Sequence, residues 1–301
     1  MKHLLILNCK AGKNDDLLPL INKAFKGLDY EIYHTKGPKD ATAFLKKYFS
    51  TEKELTRVYA CGGDGTLNEV VNGIYGFENA ELALYACGTG NDFSKIYGGK
   101  DKFLDFKTLI NGKASPIDIT KISGETLDKD FYSVNVVNIG FDAMVGAMGN
   151  INKEKGKKDP YGAAAIIPAI LHGRFNKVVV SCDDEPLNKK KLLLSSIAQG
   201  NYIGGEYHAS PKSKNDDGLL DVIVLKTMSL VTLLTKFFDR YHDGQLLDNP
   251  KCASKVLYKR CKKATIEAVK DIDVCIDGEM VKGKKFNLEC IPAAIKFVKP
   301  E

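Results

Sequence analysis

The hydrophobic pattern of the first 118 residues switches repeatedly between two periods, and this alternation limits the folds open to the chain. Short apolar runs at 4–7, 30–34, 57–61 and 82–86 have the length and character of buried strands. Between them, apolar residues fall at helical spacing. The first set is Leu17, Leu20, Ile21, Ala24 and Leu28, after Asp15 and Asp16. The second is Ala41, Phe44, Leu45, Tyr48 and Phe49, and the third Leu67, Val70, Val71 and Ile74. Parallel neighbours need a crossover long enough to hold a helix, so a β-α-β-α-β-α-β order predicts a mainly parallel sheet with helices on both sides. This first domain is expected over 1–118.

Beyond it the texture changes. Strand-like runs at 132–137, 177–181, 192–198, 220–225, 264–268, 273–276 and 286–290 are separated by Gly, Asp, Asn and Pro turns. Helical spacing interrupts them at 161–172 and 230–241. The expectation is a β-rich sandwich domain over 119–292, with 293–301 returning to the first domain.

Composition narrows the setting. Hydrophobic residues make up 44% and charged residues 27%, which fits a globular chain. The apolar run 163–171, interrupted by Pro168, is the longest and falls well short of the roughly 18 residues a membrane span needs. The N-terminal apolar stretch is too short for a secretory signal. The eight cysteines show neither C-x-x-C nor zinc spacing. A cytoplasmic protein with reduced thiols is therefore expected. Most of the net charge of +6 lies beyond residue 118, in clusters such as 189–191 and Lys259, Arg260, Lys262 and Lys263. Such patches suit phosphates or an anionic lipid surface.

Three loops carry the chemistry. Gly62, Gly63, Asp64, Gly65 and Thr66 follow a strand and open a helix, so backbone N–H groups and the helix dipole can meet an anion. Asp64 would repel a phosphate unless a divalent cation lay between them, and Mg2+ suits a site with few carboxylates. Gly88, Thr89, Gly90, Asn91 and Asp92 repeat the arrangement after the next strand. Thr89 and Asn91 can donate to phosphate oxygens, and Asp92 can join Asp64 around the metal. The third loop, after the first strand, offers Gly12 and Lys13, the lysine as a phosphate counter-charge. No Walker P-loop, strand-to-helix G-x-G-x-x-G or protein-kinase signature occurs. Cys9, Cys61 and Cys87 all sit beside these loops.

Gly62-Gly63-Asp64-Gly65-Thr66 followed by Asn68-Glu69-Val70, together with Gly88-Thr89-Gly90-Asn91-Asp92-Phe93, resembles the diacylglycerol kinase catalytic family. The resemblance continues through Asn138-Ile139-Gly140-Phe141-Asp142-Ala143, Asp217-Gly218-Leu219-Leu220-Asp221-Val222 and Asp277-Gly278-Glu279. It covers nearly the whole chain and looks most like the soluble bacterial lipid kinases. Sphingosine and ceramide kinases share these motifs, and NAD kinases share the first.

The resemblance implies an α/β fold with a Rossmann-like, NAD-kinase-like nucleotide domain and a C-terminal β-sandwich. It implies ATP and Mg2+ as cofactors, with Asp64 and Asp92 organising a metal–water network. Asn8, Gly12, Thr35, Gly63, Thr66 and Thr89 would line the nucleotide cleft, with Glu69 in the same motif. Glu279 would be the base for a lipid hydroxyl across the cleft. A second, structural Mg2+ would sit on Asp217 and the carbonyls of Lys214 and Leu219. The expected activity is ATP-dependent phosphorylation of a lipid hydroxyl, diacylglycerol first, by a cytoplasmic enzyme that visits the membrane surface. Open alternatives are a kinase for another lipid or a soluble alcohol, and a catalytically silent lipid-binding regulator. No nucleic-acid partner is expected, and a homodimer is compatible with the sequence. Cys9 stands where the family's first loop has Pro, and 209–213 departs from its usual Pro-x-Ala.

Overall fold

Leu4, Leu5, Ile6 and Leu7 are buried along β1 (Lys2–Asn8), as a strand covered on both faces requires. In this computed structural model, which describes residues 1–8, 14–159, 161–173, 176–189 and 191–300, the first unit comprises Met1–Ile119 and Pro292–Glu301. After β1 come α1 (Asn14–Ala24), β2 (Tyr30–Thr35), α2 (Asp40–Thr51), β3 (Thr56–Gly62), α3 (Asp64–Ile74) and β4 (Ala80–Ala86). The four strands are parallel in the order β4-β3-β1-β2. Every residue of β3 is buried, which explains its unbroken apolar run. Strand order reverses at β1, and such a switch point opens a crevice at the carboxyl ends of the strands. The unit also holds α4 (Phe106–Asn111).

The second unit, Thr120–Ile291, is largely antiparallel. Completing the chain order, its strands are β5 (Ala114–Gly124, which begins in the first unit), β6 (Phe131–Ser133), β7 (Val136–Gly140), β8 (Val178–Cys182), β9 (Glu185–Pro186), β10 (Leu192–Ala198), β11 (Leu220–Lys226), β12 (Val256–Cys261), β13 (Lys263–Ile276) and β14 (Glu279–Val298). They pair in the order β12-β11-β10-β7-β13-β14, and β8 adds to β13. Val137, Ile139, Val180, Val222, Ile266 and Phe286 are fully buried in the core they share. Removing each such side chain from water contributes roughly 1.5–3 kcal/mol. The end of β14 runs on into the first unit, where Lys296 and Phe297 pair in parallel with Glu81 and Leu82 of β4.

Helices cover part of the second unit. These are α5 (Phe141–Glu154), α6 (Ala163–His172) and a helical stretch over 230–242. The stretch comprises α7 (Leu230–Thr232), a wide π turn (Leu233–Phe237) and α8 (Phe238–His242). Phe141, Leu193, Phe237 and Tyr241 anchor their shared apolar cluster. The sequence pattern anticipates two of these helices and misses α5, which Gly146 and Gly149 interrupt.

Candidate active site

Register aligns the loops that carry the motifs. Asn8 pairs with Thr35 at the ends of β1 and β2, Leu7 with Cys61, and Gly62 with Ala86. The carboxyl ends of β1, β2, β3 and β4 therefore lie along one edge of the first unit's sheet. Asn8 Nδ2 donates to Thr66 Oγ1 at 3.1 Å, bridging the switch point between β1 and α3. Thr35 is buried beside it. Gly12, Lys13 and Cys9 lie outside the described residues.

The two glycine loops interlock. Gly88 N–H donates to Gly62 O at 3.1 Å. A Cβ on Gly88 would stand 2.3 Å from Gly63 Cα, and one on Gly62 would stand 2.3 Å from Thr66 Oγ1. Only glycine allows this approach. Asn91 occupies the left-handed region (φ 50), and its amide donates to Gly88 O at 2.6 Å. Its amide thus braces the loop. Among the described residues, its buried Oδ1 has no hydrogen-bond partner, leaving one acceptor inside the loop. Thr89 is exposed, and the space around Gly65 is open.

Two carboxylates converge above this frame. Phe93 N–H donates to Asp64 Oδ1 at 3.2 Å, and Lys95 Nζ donates to Asp92 Oδ1 at 2.8 Å. The remaining oxygens turn toward one glycine: a Cβ on Gly90 would meet Asp64 Oδ2 at 3.1 Å and Asp92 Oδ2 at 3.9 Å. Like charges so disposed favour a cation between them. The small glycine leaves room for one that keeps its waters and uses few carboxylates, so these residues fit Mg2+. Lys95 carries no sequence signal beyond its position three residues after Asp92.

Glu69 serves the fold. Its Oε1 accepts from Lys39 N–H at 2.9 Å and its Oε2 from Ala41 N–H at 3.1 Å. It thereby satisfies donors that the first turn of α2 leaves open. Cys61 is fully buried, and burial pushes its thiol well above the ordinary range, whereas Cys87 is half-buried.

In the second unit, Asp277 (φ 48) and Gly278 (φ 93) join Ile276 to its register partner Glu279. Two central residues with positive φ make the Asp-Gly hairpin turn that matches strand twist. The Asp277 carboxylate accepts from Ser133 Oγ at 2.6 Å and from the N–H groups of Val134, Asn135 and Val136 at 2.9, 3.2 and 3.1 Å. This anchored turn holds Glu279 exposed at the first position of β14.

Behind the turn runs a buried polar chain. Tyr241 OH donates to Asp142 Oδ2, and Ser196 Oγ donates to Asn138 Oδ1 at 2.9 Å. The Ser196 hydroxyl also lies beside that of Tyr241. Asn138 pairs in register with both Ser196 and Cys275. Burial pushes the Asp142 carboxyl up to about 7, and the Tyr241 hydrogen bond opposes that rise. A carboxyl raised on folding favours the fold below its unfolded pKa, and that advantage is lost as pH rises through the folded value. Thermal stability should therefore fall between pH 5 and pH 8, by a few kcal/mol at most. Melting curves of Asp142→Asn should be flatter over this window. An equal fall in both proteins would assign the effect to another group.

The Asp217 turn lies beside a basic side chain. Arg260 Nη2 pairs with Asp217 Oδ2, and its Nε lies 3.6 Å from Oδ1 of the fully buried Asp221. Tyr258 OH also donates to Asp221. The resemblance assigns a second Mg2+ to Asp217, Lys214 and Leu219, and Arg260 stands beside that carboxylate. Among the described residues, no group of three or more His, Cys, Asp or Glu is placed to hold a metal. The Asp217 carboxylate, like that of Asp92 beside Lys95, has a basic side chain next to it. Arg260→Met should cost about 3 kcal/mol, because the buried Asp221 carboxylate loses its charge partner. The variant's melting temperature should fall accordingly below that of the wild type. An unchanged melting temperature would contradict this reading.

Comparison with known proteins agrees with this layout. Residues 2–122 match the family model described as the diacylglycerol kinase catalytic domain. Residues 135–299 match the YegS C-terminal NAD kinase beta sandwich-like domain. A probable lipid kinase YegS-like protein of Pseudomonas aeruginosa is 27% identical over 99% of this chain and 94% of its own length. The diacylglycerol kinase of Bacillus subtilis is 26% identical over 87% of this chain and 84% of its own length. A crystal structure of a putative diacylglycerol kinase from Bacillus anthracis superposes with a TM-score of 0.74 at 27% identity, covering 99% of this chain and 96% of that one. An NAD kinase from Archaeoglobus fulgidus, solved in complex with ATP, shares the fold at a TM-score of 0.52 and 13% identity, covering 100% of this chain and 94% of its own.

Proposed function

The chain belongs to the lipid-kinase family defined by the diacylglycerol kinase catalytic domain, and we propose that it transfers the γ-phosphate of ATP to the primary hydroxyl of diacylglycerol, giving phosphatidic acid. The observation that carries this reading is the Asp64–Asp92 pair turned onto Gly90 above two interlocked glycine loops. Phosphoryl transfer needs positioning and charge neutralisation more than covalent help, and that is what such a frame provides. Asn8, Thr35, Gly63, Thr66 and Thr89 line the nucleotide site at the carboxyl edge of the sheet, with Lys13 as a phosphate counter-charge. Mg2+ held by Asp64 and Asp92 would neutralise charge on the polyphosphate.

Glu279 takes the proton from the lipid hydroxyl. The hydroxyl oxygen forms its bond to the γ-phosphorus as the bond to the ADP oxygen breaks. Exposed apolar side chains in the second unit support a surface-bound acceptor: Ile167 (56% exposed), Leu171 (61%) and Val231 (71%). Among the described residues, no helix is long and apolar enough to cross a membrane. The enzyme meets its lipid by transient contact with the membrane from the cytoplasmic side.

Turnover of Mg-ATP with micelles carrying one candidate lipid each, with products identified by mass spectrometry, tests the reading. Phosphatidic acid from diacylglycerol is the expected product. Turnover confined to a sphingoid base or to NAD would replace the proposed substrate. Absence of turnover on any acceptor would reject the catalytic role.

A further inference from the structure

The polar chain behind the Asp277-Gly278 turn ends on a carboxyl oxygen that the fold does not use. Tyr241 OH donates to Asp142 Oδ2, whereas Asp142 Oδ1 takes no hydrogen bond among the described residues. Asp142 is half-buried, which leaves that oxygen open to a ligand. We propose that Asp142 is a specificity-determining residue of the acceptor site, donating a hydrogen bond to an ester carbonyl of a neutral acyl lipid. The choice of lipid rests on the proposed function, whereas the hydrogen-bonding position rests on the second unit's own geometry.

Helix α5 carries Asp142 alongside the hairpin that holds Glu279. A Cβ on Gly146 would stand 3.6 Å from Cys275 Sγ and 3.8 Å from Met280 Sδ, so α5 lies over the β13–β14 pair. Cys275 pairs with Met280 one step from the turn, next to the Ile276–Glu279 pair. Asp142 comes four residues before Gly146, on the same helix face and one turn away, about 5.4 Å. Burial pushes the Cys275 thiol up to about 12, and the carboxylates of Asp277, Asp142 and Glu279 contribute to that rise. One thiol therefore lies within the field of both Asp142 and Glu279. Gly146, Cys275 and Met280 are half-buried and form an apolar strip between the two carboxyls. In a diacylglycerol the ester carbonyls stand a few bonds from the free hydroxyl, a span on the scale of one helical turn.

The surroundings favour a neutral ligand. The titratable groups that face Asp142 are Tyr241 from α8, Tyr207 from the segment between β10 and β11, and Cys275 from β13. Burial pushes all three up, so each is uncharged at neutral pH. Ser196 of β10 and Asn138 of β7 add neutral groups to the same chain. Among the described residues no cation pairs with Asp142. Burial holds its carboxyl at about 7, where a large fraction keeps the proton. A protonated carboxyl is a donor, and a carbonyl oxygen is the partner it lacks.

The test measures calorimetric binding to the full chain without nucleotide. The probes are dihexanoylglycerol and its dihexyl ether analogue, which has no carbonyl. At pH 6, Asp142→Leu should bind the diester about tenfold more weakly than the wild type does, the loss of one buried hydrogen bond. Its affinity for the diether should be unchanged. Asp142→Asn can accept from Tyr241 OH through its oxygen and donate through its amide, so it should bind the diester as the wild type does. Between pH 6 and pH 9 the wild type should lose about tenfold in diester affinity as the carboxyl ionises, and Asp142→Asn should lose none.

Equal losses for diester and diether in Asp142→Leu would overturn the assignment. Should that variant fail to fold, the pH comparison decides, because equal pH dependence of the wild type and Asp142→Asn would overturn it as well. Diester binding in the expected pattern without phosphorylation in Mg-ATP would support the site and reject the kinase reading. Phosphorylation of the diester without that pattern would overturn the site alone.

Discussion

Replacing Glu279 with Gln should lower lipid phosphorylation by about 100- to 10,000-fold, the range expected on removing a general base, while Mg-ATP binding is retained. The substitution is close to isosteric, and Glu279 is exposed at the first position of β14, so the strand should persist. What holds the residue in place is not its own carboxylate. The Asp277-Gly278 turn fixes it, and Asp277 is anchored by four donors from residues 133–136, where β6 passes into β7. The chemistry and its support can therefore be separated experimentally. Glu279→Gln should lose turnover with an unchanged melting temperature. Full activity in this variant would reject the base assignment.

Asp64→Asn should lower turnover by about 100- to 1,000-fold, the scale of losing one preorganised electrostatic contact at a site of developing charge. Asn keeps an oxygen that can accept from Phe93 N–H, so the loop after β4 keeps its link to α3. The loss should appear in Mg-ATP affinity as well as in turnover, because the carboxylate pair facing Gly90 is reduced to one charge. Glu69→Gln is the informative contrast. Its carboxylate caps α2, so the substitution should change stability more than turnover. If Asp64→Asn and Glu69→Gln behaved alike, the division between ligand-facing and fold-supporting carboxylates would be wrong.

The parts of this site that depend on backbone are the parts the sequence makes legible. Consecutive glycines between a strand and a helix dictate a close-approach loop, and Gly62, Gly63 and Gly88 are used that way. The β-α alternation of the first unit likewise follows from hydrophobic period, because strands and helices bury different spacings. The 20-residue β14 is harder to read as one strand, since Gly283 and Pro292 interrupt its pattern. Helix α5 escapes the pattern for a similar reason.

Side chains that meet only through tertiary approach leave no local trace. Nothing near Glu69 in the sequence says that its carboxylate reaches the first turn of α2, and the motif alone suggests a ligand role. Asn91 likewise looks like a phosphate donor until its amide is seen on Gly88 O. Tyr241 lies 99 residues from Asp142, and Arg260 lies 43 from Asp217, so neither pairing shows as spacing.

A crystal structure of the chain with Mg2+ and a non-hydrolysable ATP analogue tests the central claim most directly. The account predicts the triphosphate against the loops at 62–66 and 88–91, with the metal's bound waters or the ion itself contacting Asp64 and Asp92. A triphosphate bound away from both carboxylates would contradict it.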